Sequence, residues 1–245
     1  MRSAFLLLLT IFFFACNTRF FPARSNYENY KISENLPKDS SLTVLVSPYR
    51  DSMNKSMNKV IGIADETLEK KHPESTLGNF MADAMLWAGK KLFNNQVDAA
   101  FVNYGGIRIT ALPGGQVTNG KIFELMPFQN FVVLQNLKGD VLQQFLDLTA
   151  AEDGWPVAGI KMQIVNKKAV NVTINGEPLN INKTYRIVNS DYIATGGDNA
   201  AMLKTIPFQN TGYLMRDAIF DYIQELNKQG KNISAKIENR VTYDQ

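Results

Sequence analysis

Apolar residues recur at helical spacing between positions 76 and 93. Leu77, Phe80, Met81, Ala84, Ala88 and Leu92 fall on one face and predict an amphipathic helix that buries it. Ser75 or Thr76 stands where a side-chain oxygen can cap its start. A second amphipathic helix is predicted over 211–228 from Leu214, Ala218, Ile219, Tyr222 and Leu226. Shorter helices are expected over 48–59, 121–125 and 140–149, the last beginning after Gly139. Strands are expected over 41–46, 60–64, 99–103, 131–137, 161–165, 169–174 and 185–190, where β-branched and apolar residues cluster or alternate. Helices and strands alternate irregularly and some strands form hairpins. That favours an α+β fold with a mixed sheet over a doubly wound parallel sheet. The tetrapeptide Pro-Phe-Gln-Asn occurs at 127–130 and again at 207–210, with unlike flanks, so coincidence is preferred to internal duplication.

The N-terminus has a different character. Arg2 precedes an apolar run over 5–14, too short to span a bilayer, and Ala15-Cys16 follows. This reads as a secretory signal, residues 1–16, ending at a lipoprotein-type cysteine. Phe13 and Phe14 are bulky for such a site, and a signal cut elsewhere remains open. Residues 17–40 read as a polar tether and 41–245 as one domain, long enough for a substantial core. The expected location is therefore outside the cytoplasm: periplasmic, or held at the outer membrane of a bacterium by a lipid on Cys16. Cys16 is the only cysteine, which excludes intrachain disulfides and cysteine-rich metal sites. The net charge is +3 and no long basic run exists, so bulk electrostatic binding to nucleic acid is not expected.

Two turns carry candidate chemistry. Asn103-Tyr104-Gly105-Gly106-Ile107-Arg108 ends a strand in small residues with one arginine, whose forked donors suit a phosphate. Pro127-Phe128-Gln129-Asn130 presents an aromatic face, able to stack on a base, and an amide able to orient it. Neither supplies the means to cut a nucleotide. The chain has one histidine, His72, no Gly-x-Ser-x-Gly elbow and no phosphate-binding Gly-Lys-Ser/Thr loop.

Four segments in order resemble the C-terminal substrate-binding domain of the 5'-nucleotidases, the UDP-sugar hydrolase group. They are Glu74-Ser75-Thr76-Leu77-Gly78-Asn79 through Ala82-Asp83-Ala84, then 103–108, then 127–130, and then Tyr192-Ile193-Ala194-Thr195-Gly196-Gly197-Asp198. The resemblance covers residues 42–240. It implies a four-layer α-β-β-α sandwich with mixed sheets that binds a nucleotide. By the same resemblance Arg108 contacts phosphate, Phe128 and Tyr192 sandwich the base and Asn130 bonds to its edge. Gly154, in Asp153-Gly154-Trp155-Pro156, lines the base pocket, and Asp198 accepts from the ribose hydroxyls. Two departures stand out. Tyr104 occupies a position that is glycine in the family pattern. The two arginines the family places before Glu74 are replaced by Leu68-Glu69-Lys70-Lys71-His72-Pro73, where Lys71 stands near one expected position and is the candidate to meet the substrate as a point charge, and Lys70 reads as a solvated charge.

The family's enzymes also carry a metallophosphatase domain with a two-metal centre, which needs several His, Asp and Asn ligands. No such ligand set is found here, and no catalytic residue or metal ligand is assigned to this chain. The expectation is a recognition domain, inactive alone, that presents nucleotide to a separate metallophosphatase chain holding the divalent metals. A stand-alone nucleoside- or nucleotide-binding lipoprotein and a decayed pocket remain open alternatives.

Overall fold

The computed structural model describes residues 26–31, 33 and 39–244. The signal segment, Cys16 and most of the tether lie outside the described residues. The chain divides into residues 1–46 and a compact unit from Ser47 to Gln245. The helices are α1 (Ser40–Met57), α2 (Thr76–Leu92), α3 (Asn119–Leu125), α4 (Gly139–Ala151), α5 (Asp191–Ala194) and α6 (Met215–Lys228). The strands are β1 (Val60–Ala64), β2 (Leu68–Glu69), β3 (Ala99–Phe101), β4 (Ala111–Leu112), β5 (Gly115–Thr118), β6 (Phe131–Lys138), β7 (Val157–Ala158), β8 (Ile160–Val165), β9 (Lys168–Ile174), β10 (Glu177–Pro178), β11 (Thr184–Ser190), β12 (Phe208–Leu214) and β13 (Val241–Tyr243).

Two mixed sheets organise the larger unit. The first has the order β12-β6-β11-β3-β7, with β11 and β3 parallel and the other pairs antiparallel. The second has the order β10-β9-β8-β13, with only β13 and β8 parallel. The mixed α+β architecture implied by the resemblance is the architecture found.

The alternation of side chains across a strand divides the core in two. Ala100, Val102, Val132, Leu134 and Val188 face α2 and α6, meeting Leu77, Phe80, Met81, Met85, Ala218 and Ile219. Their neighbours Ala99, Phe101, Leu137 and Ile187 face the opposite way, into a second cluster with Leu142, Phe145 and Leu146 of α4 and Ile160, Met162 and Ile164 of β8. The face expected of α2 is the face it buries, with Leu92 at its edge only half-buried. Ser75 caps that helix, accepting from the Gly78 N–H at 3.1 Å. The helix lies close to the sheet: a Cβ on Gly89 would sit 2.4 Å from Val188 Cγ2.

Two predicted elements are corrected. Residues 41–46, expected as a strand, belong to α1. Asp39 starts that helix, accepting from the Leu42 N–H at 3.0 Å through Oδ1 and from the Thr43 hydroxyl at 2.7 Å through its carbonyl. An aspartate cap thus overrides the strand preference of Thr43, Val44 and Val46. Residues 211–214, expected to open a helix, finish β12 instead. Gly212 adopts φ +74°, and its N–H is taken by Asn210 Oδ1 at 2.8 Å, which bulges the strand beside β6 before α6 begins at Met215. The two Pro-Phe-Gln-Asn copies adopt unlike structures, one a loop and the other part of β12.

Candidate functional site

The strand β3 delivers the chain into a 3₁₀ turn at Tyr104–Gly106. Gly106 N–H donates to Asn103 O (2.9 Å) and Ile107 N–H to Tyr104 O (3.2 Å). A Cβ at 106 would lie 2.6 Å from Asn103 Oδ1, so any other residue there would displace that side chain. The turn thus leaves room for the Asn103 side chain, which donates through Nδ2 to Asp198 Oδ2 at 2.7 Å. Beyond the turn, Arg108 N–H is held by Leu125 O at the end of α3 (3.0 Å). Its guanidinium is exposed, with Nη1 3.3 Å from Gly105 O and Cζ 5.6 Å from the centre of the Phe128 ring.

The facing wall comes from α5 and the glycine turn after it. Tyr192 donates its hydroxyl to Asp198 Oδ1 at 2.8 Å and accepts from the Asp198 N–H at 3.3 Å. Donation to that carboxylate pushes the Tyr192 hydroxyl pKa above its ordinary value. Asp198 itself sits at φ +47°, a left-handed position that aspartate tolerates. Each of its carboxylate oxygens accepts one bond from the protein and keeps lone-pair capacity for another.

Arg108, Phe128, Asn130, Tyr192 and Asp198, together with Asn103, Met126 and Met215, line one cavity of about 340 Å³. Phe128 and Tyr192 are 40% and 45% exposed, so each keeps ring surface open beside the cavity. Two candidates are not brought there. Gly154, at φ +94°, sits beneath Pro73, whose carbonyl a Cβ would approach to 2.9 Å, and its own carbonyl accepts from His72. Lys71 is ion-paired with Glu69 and lines a separate groove with His72, Glu74 and Tyr243.

Lys70, expected to be solvated, is the cation that turns toward Arg108. Its Nζ donates to Ile107 O at 2.7 Å and lies 3.9 Å from the Tyr104 ring centre. Burial first, and then the Arg108 charge, hold its pKa below the usual lysine range. The opposite face of Tyr104 stacks on His72 at 3.7 Å. His72 Nδ1 lies 3.1 Å from both Asp153 O and Gly154 O. Carbonyls only accept, so Nδ1 carries the proton and is not free to ligate a metal. Among the described residues no group of three or more His, Cys, Asp or Glu side chains is placed to hold a metal ion.

Residues 54–205 match the family model described as "5'-nucleotidase, C-terminal domain". The chain belongs to that family. The trifunctional nucleotide phosphoesterase protein YfkN of Bacillus subtilis (strain 168) is 28% identical over 240 residues, covering 89% of this chain and 16% of that protein. A 5'-nucleotidase of Vibrio vulnificus (strain CMCP6) is 26% identical over 208 residues, covering 79% of this chain and 36% of its own. Among solved structures, the 5'-nucleotidase precursor from Thermus thermophilus superposes with a TM-score of 0.73 at 29% identity, over 84% of this chain and 44% of that one. This 5'-nucleotidase C-terminal domain thus spans less than half the length of each of these relatives.

Proposed function

We propose that this chain is the nucleotide-recognition unit of a 5'-nucleotidase-type phosphoesterase of nucleotide catabolism, and that it presents its ligand to a metallophosphatase on a separate chain. One observation carries the reading. Side chains from three separate segments that resemble the family's motifs, 103–108, 127–130 and 192–198, border a single cavity of ligand size. The base lies between Phe128 and Tyr192, with Asn130 at its edge. The free lone pairs of Asp198 accept from the ribose, and Arg108 meets the phosphate. A two-sided aromatic clamp grips any base, so it supplies affinity with little base selectivity. Hydrolysis falls to the partner, because phosphoester cleavage at two metals needs several His, Asp and Asn ligands and the sequence has one histidine. The apolar run over 5–14 and Cys16 support export and attachment to a membrane by lipid.

The test is hydrolysis of AMP and UDP-glucose with Mg²⁺, Mn²⁺, Co²⁺ or Zn²⁺, by the purified chain and by the chain co-purified with a metallophosphatase, alongside calorimetric binding of AMP and adenosine. Binding without turnover by the chain alone, and turnover raised by the partner, is the expected result. Metal-dependent turnover by the chain alone, lost when its own residues are changed, would refute the division of labour. No binding of either ligand would mark the cavity as decayed.

A further inference from the structure

Arg216 is a costly residue where it stands. It is only 9% exposed, and no carboxylate of the described residues pairs with it. It occupies the first turn of α6, where the helix dipole opposes a positive charge. A buried cation without a carboxylate must find other partners. The partners found all belong to the segment that carries the cavity's aromatic wall. Nη1 donates to Met126 O at 3.3 Å and to Phe128 O at 3.4 Å, and Cζ lies 4.2 Å from the centre of the Phe123 ring. The neighbouring Met215 lines the cavity and donates its N–H to Asn130 O at 2.9 Å. Asp191, at the start of α5, accepts from the Phe131 N–H at 2.9 Å. The loop bearing Phe128 is thus held at 126, 128, 130 and 131, and Arg216 supplies the two contacts nearest the ring.

We infer that Arg216 is a positioning residue for ligand binding: it touches no ligand and sets the place of the Phe128 ring by gripping the carbonyls on either side of Pro127. The inference rests on the base-clamp reading above. It predicts a coupling that a general contribution to stability does not produce. Arg216→Gln should weaken adenosine binding at least about fivefold, the low end of the loss for one base stack. In a Phe128→Ala background the same change should weaken it less than about twofold, because no ring remains to be placed. Arg216→Lys, with one point donor in place of a fork, should fall between wild type and Arg216→Gln, and it runs the same cycle if the glutamine variant does not fold. Calorimetry with adenosine on the four proteins of the cycle decides the matter. A loss on Phe128→Ala with none on Arg216→Gln, or equal losses in both backgrounds, overturns the role of Arg216 while leaving the clamp. No loss on Phe128→Ala removes the clamp and the inference together.

Discussion

Gly197 is the point at which the aromatic wall is most open to attack without touching a proposed ligand contact. A Cβ built there would lie 2.5, 2.6 and 2.7 Å from Cζ, Cε1 and Cε2 of Tyr192, against an ordinary carbon contact of about 3.5–4.0 Å. The backbone at 197 is outside the left-handed region, so Gly197→Ala adds a steric conflict and no φ strain. The ring must retreat by about 1 Å, which stretches the 2.8 Å bond to Asp198 beyond hydrogen-bonding range. Overpacking in a closed core costs about 1–3 kcal/mol. Tyr192 is 45% exposed and can swing outward, so the stability loss should stay below about 1 kcal/mol, a fall in Tm of no more than about 4 °C for a chain of this size. The binding loss should be larger. Losing one side of a base stack costs about 1–3 kcal/mol, or about 5- to 150-fold in Kd. Adenosine titration by calorimetry, with a thermal melt on the same samples, separates the two quantities. In a Tyr192→Ala background Gly197→Ala should be neutral, because the clashing ring is gone. A folded Gly197→Ala protein with unchanged adenosine affinity would show that Tyr192 is not a wall of the site.

Phe128→Ala and Tyr192→Ala should each weaken nucleoside binding by about 1–3 kcal/mol, and the double change should cost less than the sum because both rings grip one base; additive losses in calorimetry would argue for separate contacts. Arg108→Ala should lower AMP affinity about tenfold or more while leaving adenosine nearly unaffected, with Arg108→Lys recovering part of the loss; equal losses for both ligands would assign Arg108 to the fold of its turn. Gly89→Ala, whose methyl would meet Val188 at 2.4 Å in the closed interface of α2 with β11, should destabilise the protein by about 1–3 kcal/mol in urea unfolding without a specific effect on binding. Cys16→Ser should abolish incorporation of labelled fatty acid and move the protein to the soluble fraction; absence of label in the wild type would leave Cys16 as part of an ordinary signal.

The parts of the fold legible in the sequence are those set by local periodicity. The buried face of α2 could be read from Leu77 to Ala88 because helical spacing and burial coincide there. The start of α1 could not, because Asp39 decides it and the apolar residues after it favour strands. The start of α6 was hidden by the bulge at Gly212, which lets β12 run on beside β6. The cavity followed the motif residues, since Arg108, Phe128 and Asp198 each sit next to glycines or prolines that fix a turn. Contacts across long separations were not legible. Lys70 and Lys71 are adjacent and chemically alike, yet only the half-buried Lys70 reaches Ile107 O, beside a Tyr104 ring that also stacks on His72. Arg216 is not singled out by the sequence, since nothing in its own segment announces carbonyl partners 88 and 90 residues away.

The two ends of the cavity share one support, and this limits how they can change independently. The last turn of α3 holds both: Leu125 O receives the Arg108 N–H, and Met126, whose N–H closes on Ile122 O, begins the loop that carries Phe128. Leu125 and Ile122 are fully buried in the same cluster as α2 and α6. Shrinking Leu125 should therefore disturb the place of the guanidinium and of the ring together, lowering adenosine affinity through the ring and AMP affinity further through both, along with stability. On the proposed binding mode, a change confined to Arg108 should act mainly on the phosphate end, and one confined to Arg216 or Gly197 on the base end. The ratio of AMP to adenosine affinity should thus fall when a substitution moves the phosphate end, as a Leu125 variant would, and stay near its wild-type value when only the base end is moved.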